Sequence, residues 1–239
     1  MKAVFHSAES RGFADHGWLK SYHSFSFAGF YNQEKMNFGA LRVLNDDTID
    51  PGEGFGMHPH DNMEIISIPL EGELKHKDSM GNSIVIKEED IQVMSAGTGI
   101  NHSEFNNSTD KKGKFLQIWV IPDKKNVTPR YDQISIDPED SINKLNQVLS
   151  PHKEDQGVWI YQNAWFFISR PEKGVSLNYQ LKDDSNGVYI FLVEGKIDVC
   201  GHKLGNRDAL GITETRSLDI QALSNSFVLI MEVPMTFER

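Results

Sequence analysis

The sequence predicts an all-β protein made of two consecutive β-barrels. Short apolar runs separated by turn residues recur at regular spacing along most of the 239 residues, which is typical of antiparallel barrels and sandwiches. The chain also repeats a pattern, because residues 70–72 and residues 193–195 both place Glu-Gly after an apolar strand. This self-similarity indicates a duplicated unit rather than one continuous barrel.

The first half is predicted to be a series of short strands. Alternation of apolar and polar residues identifies most of them, since alternate side chains of a strand share one face. Gly81 and Asn82 occupy the loop of a predicted hairpin, and the Asn-Asp-Asp sequence at residues 45–47 is a predicted turn. The strands are predicted at residues 23–27, 38–44, 64–70, 73–78, 83–87, 91–94 and 115–121.

The second half resumes the same rhythm after a polar connection at residues 123–133. Residues 137–149 are predicted as a short helix, because Pro138 suits a helix start and three apolar residues fall on one face. We therefore predict an N-terminal domain at residues 1–133 and a C-terminal domain at residues 134–239. The later strands are predicted at residues 158–161, 164–168, 175–179, 187–193 and 226–231.

Composition and charge narrow the functional classes. The chain has 34 acidic and 24 basic residues and a formal net charge of −10, which argues against a nucleic-acid interface. The single cysteine, Cys200, excludes an internal disulfide, favours a reducing compartment and is expected to be a buried small hydrophobe. We see neither a signal-peptide pattern nor an apolar run of about 20 residues. We expect a cytoplasmic monomer without membrane contact.

The stretch at residues 52–106 contains two alternating pairs of metal-binding side chains. His58 and His60 form the first pair, and His102 and Glu104 form the second. Residues i and i+2 of a strand point to the same face, so two neighbouring strands would bring three imidazoles and one carboxylate together. Without a thiolate, this set suits one divalent transition metal, such as Fe(II), Cu(II), Ni(II), Mn(II) or Zn(II).

The repeat predicts that the second barrel lacks this site. Aligning Gly195 with Gly72 gives one offset between the halves, and aligning Asp208 with Asp90 gives another. Neither offset brings a set of metal ligands into the second half. The positions predicted to match His58, His60, His102 and Glu104 are Leu181, Asp183, Ile220 and Ala222, respectively.

The spacing of these residues resembles the cupin signature, in which glycines lead into a His-x-His pair and later into a third histidine. Two departures are visible. The segment at residues 64–72 is one residue longer than the usual form, and Ser95 replaces the usual proline. The positions that follow the signature are Gly52, His58, His60, Glu64, Gly72, Gly97, Gly99, His102 and Asn106.

Among cupins, the chain resembles the pirin family over nearly its whole length, and most closely the bacterial pirin-like quercetin 2,3-dioxygenases. Generic cupins often use the glutamate at Glu64 as a ligand. The pirin resemblance instead implies that Glu104 joins His58, His60 and His102 on the metal, while Glu64 orients a ligating histidine by accepting its second N–H. The matching motifs lie at residues 16–18, 23–27, 41–43, 78–82, 94–99 and 128–131.

The resemblance also implies a reaction, the cleavage of the central ring of a flavonol by O2 with release of carbon monoxide. Fe(II) is the metal that we expect first. Glu104, or alternatively Glu64, would take the proton of the flavonol 3-hydroxyl and so act catalytically. Phe55, Met57 and Met63 are candidates for an apolar wall of the substrate site, although core packing would explain each of them as well.

Two other functions stay open at this point. Some pirins are redox-dependent regulators that bind transcription factors, so the metal could serve a non-enzymatic switch. A metal enzyme acting on another enol or a catechol is the other alternative.

Arg130 and Tyr131 are expected to dock the linker between the domains. The remaining histidines are expected at the surface or satisfied in the core: His6, His16, His23, His76, His152 and His202.

Overall fold

Short strands with one apolar face pack into two tandem β-barrels, as the sequence predicts. The computed structural model describes residues 1–237. The first strands are β1 Lys2–His6, β2 Gly12–Asp15, β3 Leu19–His23, β4 Leu41–Ile49, β5 Gly54–His60, β6 Glu64–Glu71, β7 Leu74–Asp78, β8 Ser83–Ile86, β9 Asp90–Ser95, β10 Ile100–Asn106, β11 Gly113–Val120 and β12 Arg130–Ser135. The later strands are β13 Asn146–Ser150, β14 Val158–Trp159, β15 Trp165–Ser169, β16 Ser176–Gln180, β17 Asn186–Glu194, β18 Ile197–Val199, β19 His202–Leu204, β20 Ala209–Thr213, β21 Ser217–Ala222 and β22 Phe227–Pro234.

Each barrel consists of a seven-stranded sheet facing a four-stranded sheet. In the N-terminal barrel the strand orders are β12-β9-β6-β11-β4-β3-β2 and β5-β10-β7-β8. In the C-terminal barrel they are β1-β20-β17-β22-β15-β13-β14 and β16-β21-β18-β19. No helix within residues 1–237 is long and apolar enough to cross a lipid bilayer.

Two strands modify the predicted domain boundary at residue 133. β1 leaves the N-terminal barrel and pairs with β20, with Lys2 opposite Thr213 and His6 opposite Ala209. β12 crosses the boundary and pairs with β9 of the N-terminal barrel. The division at residue 133 therefore stays a prediction. The first strand, β1, belongs to the sheet of the second barrel.

The two barrels share a hydrophobic core at their interface. The largest cluster of buried apolar side chains draws from both halves and includes Phe25 and Leu44 from the first and Phe166 and Tyr189 from the second. A second apolar cluster fills the inside of the C-terminal barrel. The described residues inside the N-terminal barrel form two small apolar clusters, one around Phe115 and one around Met94. This leaves room there for polar groups.

Strand pairing corrects the register of the repeat. In the first barrel His102 lies opposite His58, and Asn106 lies opposite Leu74. In the second barrel Ala222 lies opposite Ile197. Ile197 matches Leu74, because each lies two residues after the repeated glycine, Gly195 or Gly72. The assignments from sequence offsets are therefore wrong by two residues on both strands. The positions matching His58, His102 and Glu104 are Tyr179, Leu218 and Ile220.

Two local predictions are also wrong. The predicted helix at residues 137–149 is only a 3-10 helix at Pro138–Ser141, followed by β13. Pairing of β13 with β15 satisfies its backbone and overrides the helical spacing of its apolar residues. The predicted turn at residues 45–47 lies instead inside β4, where Asn45 and Asp47 are buried.

Gly97 sits where the chain turns into β10 and passes close to another loop. Its φ is +50°, and a Cβ at this position would lie 2.0 Å from the Val127 carbonyl oxygen. Gly52 has a similar φ of +70°, but a Cβ there would meet nothing within 4 Å. Substituting alanine at the two positions therefore allows two costs to be compared. Both substitutions strain a left-handed backbone, but only the one at Gly97 also creates a steric clash.

We predict that Gly97→Ala lowers the free energy of unfolding more than Gly52→Ala does. The control substitution should cost about 1–2 kcal/mol, because only its backbone is strained. Gly97→Ala should cost roughly 2–5 kcal/mol, since overpacking adds to the same strain. Urea unfolding of both metal-free variants measures this difference, and equal losses would contradict the clash.

Candidate metal centre

Strands β5 and β10 bring the predicted histidines together. His58 lies directly opposite His102 across this pair, and the register shifts between His102 and Glu104. The ring centroids are 4.5 Å apart for His58 and His102, 4.8 Å for His58 and His60, and 4.9 Å for His60 and His102. The ligand atoms of the three rings all lie within 4.8 Å of one another. The pairing of residues i and i+2 thus produces the geometry that the sequence suggested.

Glu104 stands next to this trio and is held by two hydrogen bonds. The Ser67 hydroxyl donates to Oε1 at 2.8 Å, and the Gln117 side-chain amide donates to Oε2 at 2.7 Å. The carboxyl group is buried, with the residue 1% exposed. Each oxygen keeps a second lone pair after these bonds, so the carboxylate can still bind a cation or a proton.

The ring of His102 shows that the residues fit a metal ion. It is 1% exposed, and both of its nitrogens lack a hydrogen-bond partner within residues 1–237. Buried polar atoms are nearly always paired, because leaving them unpaired costs free energy. Imidazole and carboxylate donors without sulfur match the preferences of divalent first-row transition metals. The N-terminal barrel therefore contains a His/Glu metal-binding site.

Burial keeps the imidazoles of His60 and His102 neutral. Burial, followed by the neighbouring His58, lowers the pKa of His102 to about 3. Burial together with His102 and His58 lowers the pKa of His60 to about 4. A neutral imidazole is the form that binds a metal, so no proton has to be displaced at neutral pH.

His76 is a site residue that spacing on its own strand did not reveal. It was expected at the surface or satisfied in the core, but it is fully buried and faces Glu104 across the β7–β10 pair. Its Nε2 donates to Asp78 at 3.1 Å, and its Nδ1 has no partner among residues 1–237. One ligand atom each of His76, His102 and Glu104 lie within 4.8 Å of one another. The sequence signal that could have identified His76 is the alternating pair His76 and Asp78. This pair points to the metal site only once β7 is known to lie beside β10.

Glu64 lies apart from the histidine cluster, which corrects the role predicted for it. Its carboxylate accepts a hydrogen bond from the Ser95 hydroxyl at 2.7 Å, and no histidine of the described chain bonds to it. Burial raises its pKa to about 7, although Ser95 and Arg130 act in the opposite direction. Glu64 points to the side of β6 that holds Arg130, so it neither ligates nor orients a ligand here.

A cavity of about 270 Å³ opens beside the cluster. Phe55 lines it, as predicted for the apolar wall. Met57 instead faces solvent with 59% exposure, and Met63 packs with the apolar cluster around Met94. The cavity is lined by His16, Leu19, Ser21, His23, Phe27, Ala28, Asn45, Asp47, Phe55, His58, His60, Glu104, Gln117 and Trp119.

The other residues singled out from the sequence lie outside the cluster. Arg130 donates to the Trp159 carbonyl at 2.6 Å and stacks over the Trp159 ring, so it joins the two barrels as expected. Tyr131 packs instead on His76, with ring centroids 4.8 Å apart. Cys200 is half-buried in the turn between β18 and β19, with a φ of +50°, which corrects the expectation of a buried strand position.

Two tandem cupin barrels, the first with a His/Glu cluster and the second without one as far as residue 237, define a bicupin metal-binding protein. The Pirin family profile matches residues 4–120, and the profile of the quercetinase C-terminal cupin domain matches residues 147–233. The chain belongs to the pirin family.

Relatives and solved structures agree with this assignment. The chain is 40% identical over 227 residues to quercetin 2,3-dioxygenase of Escherichia coli K12, covering 95% of this chain and 96% of the relative. It is 36% identical to a pirin-like protein of Caulobacter vibrioides, covering 92% of this chain and 95% of the relative. The crystal structure of the bacterial pirin YhhW from Escherichia coli in complex with nickel(II) superposes with a TM-score of 0.93 at 38% identity, covering 98% of this chain and all of that chain.

We predict that His102→Ala weakens metal binding by at least about 100-fold, because it removes a ligand whose nitrogens serve no other bond. Metal should raise the unfolding temperature of the wild type by mass action and leave that of the variant unchanged. Titration with Ni(II) and thermal unfolding measure both effects. His152→Ala is the matched control, since His152 is exposed. Undiminished affinity in His102→Ala would contradict the site.

We predict that Glu64 makes stability fall as the pH rises. The unfolded carboxyl ionises near 4.5 and the folded one near 7, so folding takes up a proton between these values and ionisation opposes it. Glu64→Gln should reduce the loss of unfolding free energy between pH 4.5 and 8 by about 2–3 kcal/mol. Chemical denaturation at both pH values tests this. Parallel pH profiles of variant and wild type would show that Glu64 does not titrate in this window.

Proposed function

We propose that this protein is a metal-dependent dioxygenase that cleaves flavonols in the manner of quercetin 2,3-dioxygenase. One observation carries the proposal. His58, His60 and Glu104 line a cavity with aromatic walls, and the ligand atoms of His58, His60 and His102 lie within 4.8 Å of one another, so a flat substrate that enters the cavity can reach them. The family relationship supports the choice of reaction, since a relative 40% identical over nearly the whole chain bears that name.

The ligand set that we propose is His58, His60, His102 and Glu104. The three imidazoles and the carboxylate would hold one divalent transition metal, with Fe(II) the ion expected first. Ni(II) is supported by the nickel complex of the bacterial pirin YhhW, and Cu(II), Mn(II) and Zn(II) suit the same donors. The bound ion would act as a Lewis acid that favours the deprotonated flavonol and its reaction with O2.

The side chains around the ion prepare the substrate. The Glu104 carboxylate takes the proton of the flavonol 3-hydroxyl, and the hydrogen bonds from Ser67 and Gln117 keep it aimed at the cavity. Phe55 and Trp119 line the cavity and give the planar rings apolar contact. In the overall reaction both atoms of O2 enter the ring-opened product, and the carbon that bore the 3-hydroxyl leaves as carbon monoxide.

The cavity is close in size to a small-molecule site. At about 270 Å³ it falls just below the range of small-molecule sites, which begins at about 300 Å³. The corresponding interior of the second barrel is packed with apolar side chains. One substrate site per chain is therefore proposed, in the N-terminal barrel.

We predict that the protein loaded with Fe(II), Ni(II), Mn(II) or Cu(II) consumes O2 in the presence of quercetin. An oxygen electrode, loss of flavonol absorbance and carbon monoxide release measure turnover. Glu104→Gln should lower kcat by about 10²–10⁴-fold, because it removes the proton acceptor. Glu53→Gln is the control, since Glu53 is exposed just before β5. Absence of turnover with all four metals would reject the oxygenase and favour a pirin that binds metal without catalysis.

A further inference from the structure

A buried carboxyl group on the wall across from the histidines has no role in the chemistry proposed above. Asp47 lies on β4 of the seven-stranded sheet, whereas His58, His60 and Glu104 lie on the four-stranded sheet. All four residues line the same cavity. The cavity thus has polar groups on two opposing walls, and a ligand that fills it can contact both.

The Asp47 carboxyl is incompletely hydrogen-bonded. The residue is 2% exposed, and its Oδ1 has no partner within residues 1–237. Ser21 is its hydrogen-bonding side chain. The adjacent polar pair is satisfied internally, because His23 Nδ1 lies 2.9 Å from Asn45 Oδ1. Asp47 Oδ1 is therefore an unpaired polar atom of this wall, as is Trp119 Nε1, and a buried unpaired oxygen costs free energy until a ligand meets it.

The electrostatics around Asp47 favour a hydrogen bond to a neutral ligand. Burial raises the pKa of Asp47 to about 7, with Ser21 opposing this shift and with Asp46 and Glu104 adding to it. The groups that act on it are a hydroxyl and two carboxylates. The carboxyl donates to a phenol oxygen when it carries a proton and accepts from a phenol hydroxyl when it does not.

We propose that Asp47 contacts the substrate, and that its carboxyl hydrogen-bonds a ring hydroxyl on the edge of a planar polyphenol remote from the His/Glu cluster. This proposal rests on the proposed function and names its substrate class, which is a flavonol with hydroxyls on the outer rings. An aromatic ligand without such a hydroxyl leaves the carboxyl unpaired. A site built to pair a buried polar group discriminates strongly against ligands that lack the partner.

Anaerobic titration of the nickel-loaded full-length chain tests this contact. Quercetin and 3-hydroxyflavone are the probes, because both carry the 3-hydroxyl and the carbonyl, while only quercetin has outer-ring hydroxyls. Asp47→Leu should weaken quercetin binding by about tenfold or more, the effect of one lost hydrogen bond to a buried group. It should change the affinity for 3-hydroxyflavone less than twofold. Asp47→Asn should recover part of the loss, since its amide still bonds a hydroxyl.

Glu64→Gln is the matched control. Glu64 is as buried as Asp47 and its pKa is also raised to about 7, but it lies outside the cavity. Its substitution should leave both affinities unchanged. Nickel content and unfolding temperature are measured for every variant, and Asp47→Ala replaces Asp47→Leu if the latter does not fold.

Equal weakening of both ligands, or unchanged quercetin binding, would overturn the Asp47 contact and leave the carboxyl a structural group. Failure of the wild type to bind either flavonol would overturn it as well. If the wild type binds with the expected discrimination but consumes no O2, the dioxygenase function fails and the Asp47 contact stands. If O2 is consumed and the Asp47 variants show no discrimination, only the contact fails.

Discussion

Unpaired polar atoms inside the N-terminal barrel are the constraint on which its architecture depends. Within residues 1–237, His102 and His76 present buried ring nitrogens without partners, and Asp47 presents an oxygen. Burying such groups costs free energy unless something binds them. In our proposal a metal ion binds His102, and a ligand hydroxyl bonds the Asp47 carboxyl. The free energy of binding would then offset the cost of burying these unpaired polar atoms on folding.

The second barrel has the same fold but an apolar interior at the positions of the polar site residues. Ser67 and Gln117 face each other across β6 and β11 and hold Glu104. The repeat places Ile190 opposite Ile230 at the matching positions of β17 and β22, and Ile220 at the position of Glu104. The matching isoleucines belong to one apolar cluster. Three isoleucines in the second barrel thus replace the polar residues Ser67, Gln117 and Glu104 of the first, and a packed core replaces the cavity. The same backbone fold accommodates both a polar cavity and an apolar core.

The vacant barrel still supports the site, because the two barrels are built into one another. β1 completes the C-terminal sheet, and a single apolar cluster spans the interface. Asp46, next to Asp47 on β4, accepts hydrogen bonds from Arg11 at 3.1 Å and from Arg207 of the second barrel at 2.9 Å. Alternate residues of β4 therefore face the interface and the cavity. The second barrel holds in place the strand that carries one wall of the site.

The sequence by itself determined the all-β class, the duplication, and the two alternating pairs that the fold brings close together, because strand periodicity and ligand spacing are local properties. It also identified the family. Only the tertiary structure decided the rest. Asn45 and Asp47 look like a turn because polar residues are rare inside strands, and only the facing sheet explains their burial. His76 joins the cluster, and Glu64 leaves it, because strand pairing and facing direction depend on contacts between distant segments. The register of the repeat was decided in the same way, since hydrogen bonds between strands, and not residue counts along the chain, set which side chains meet.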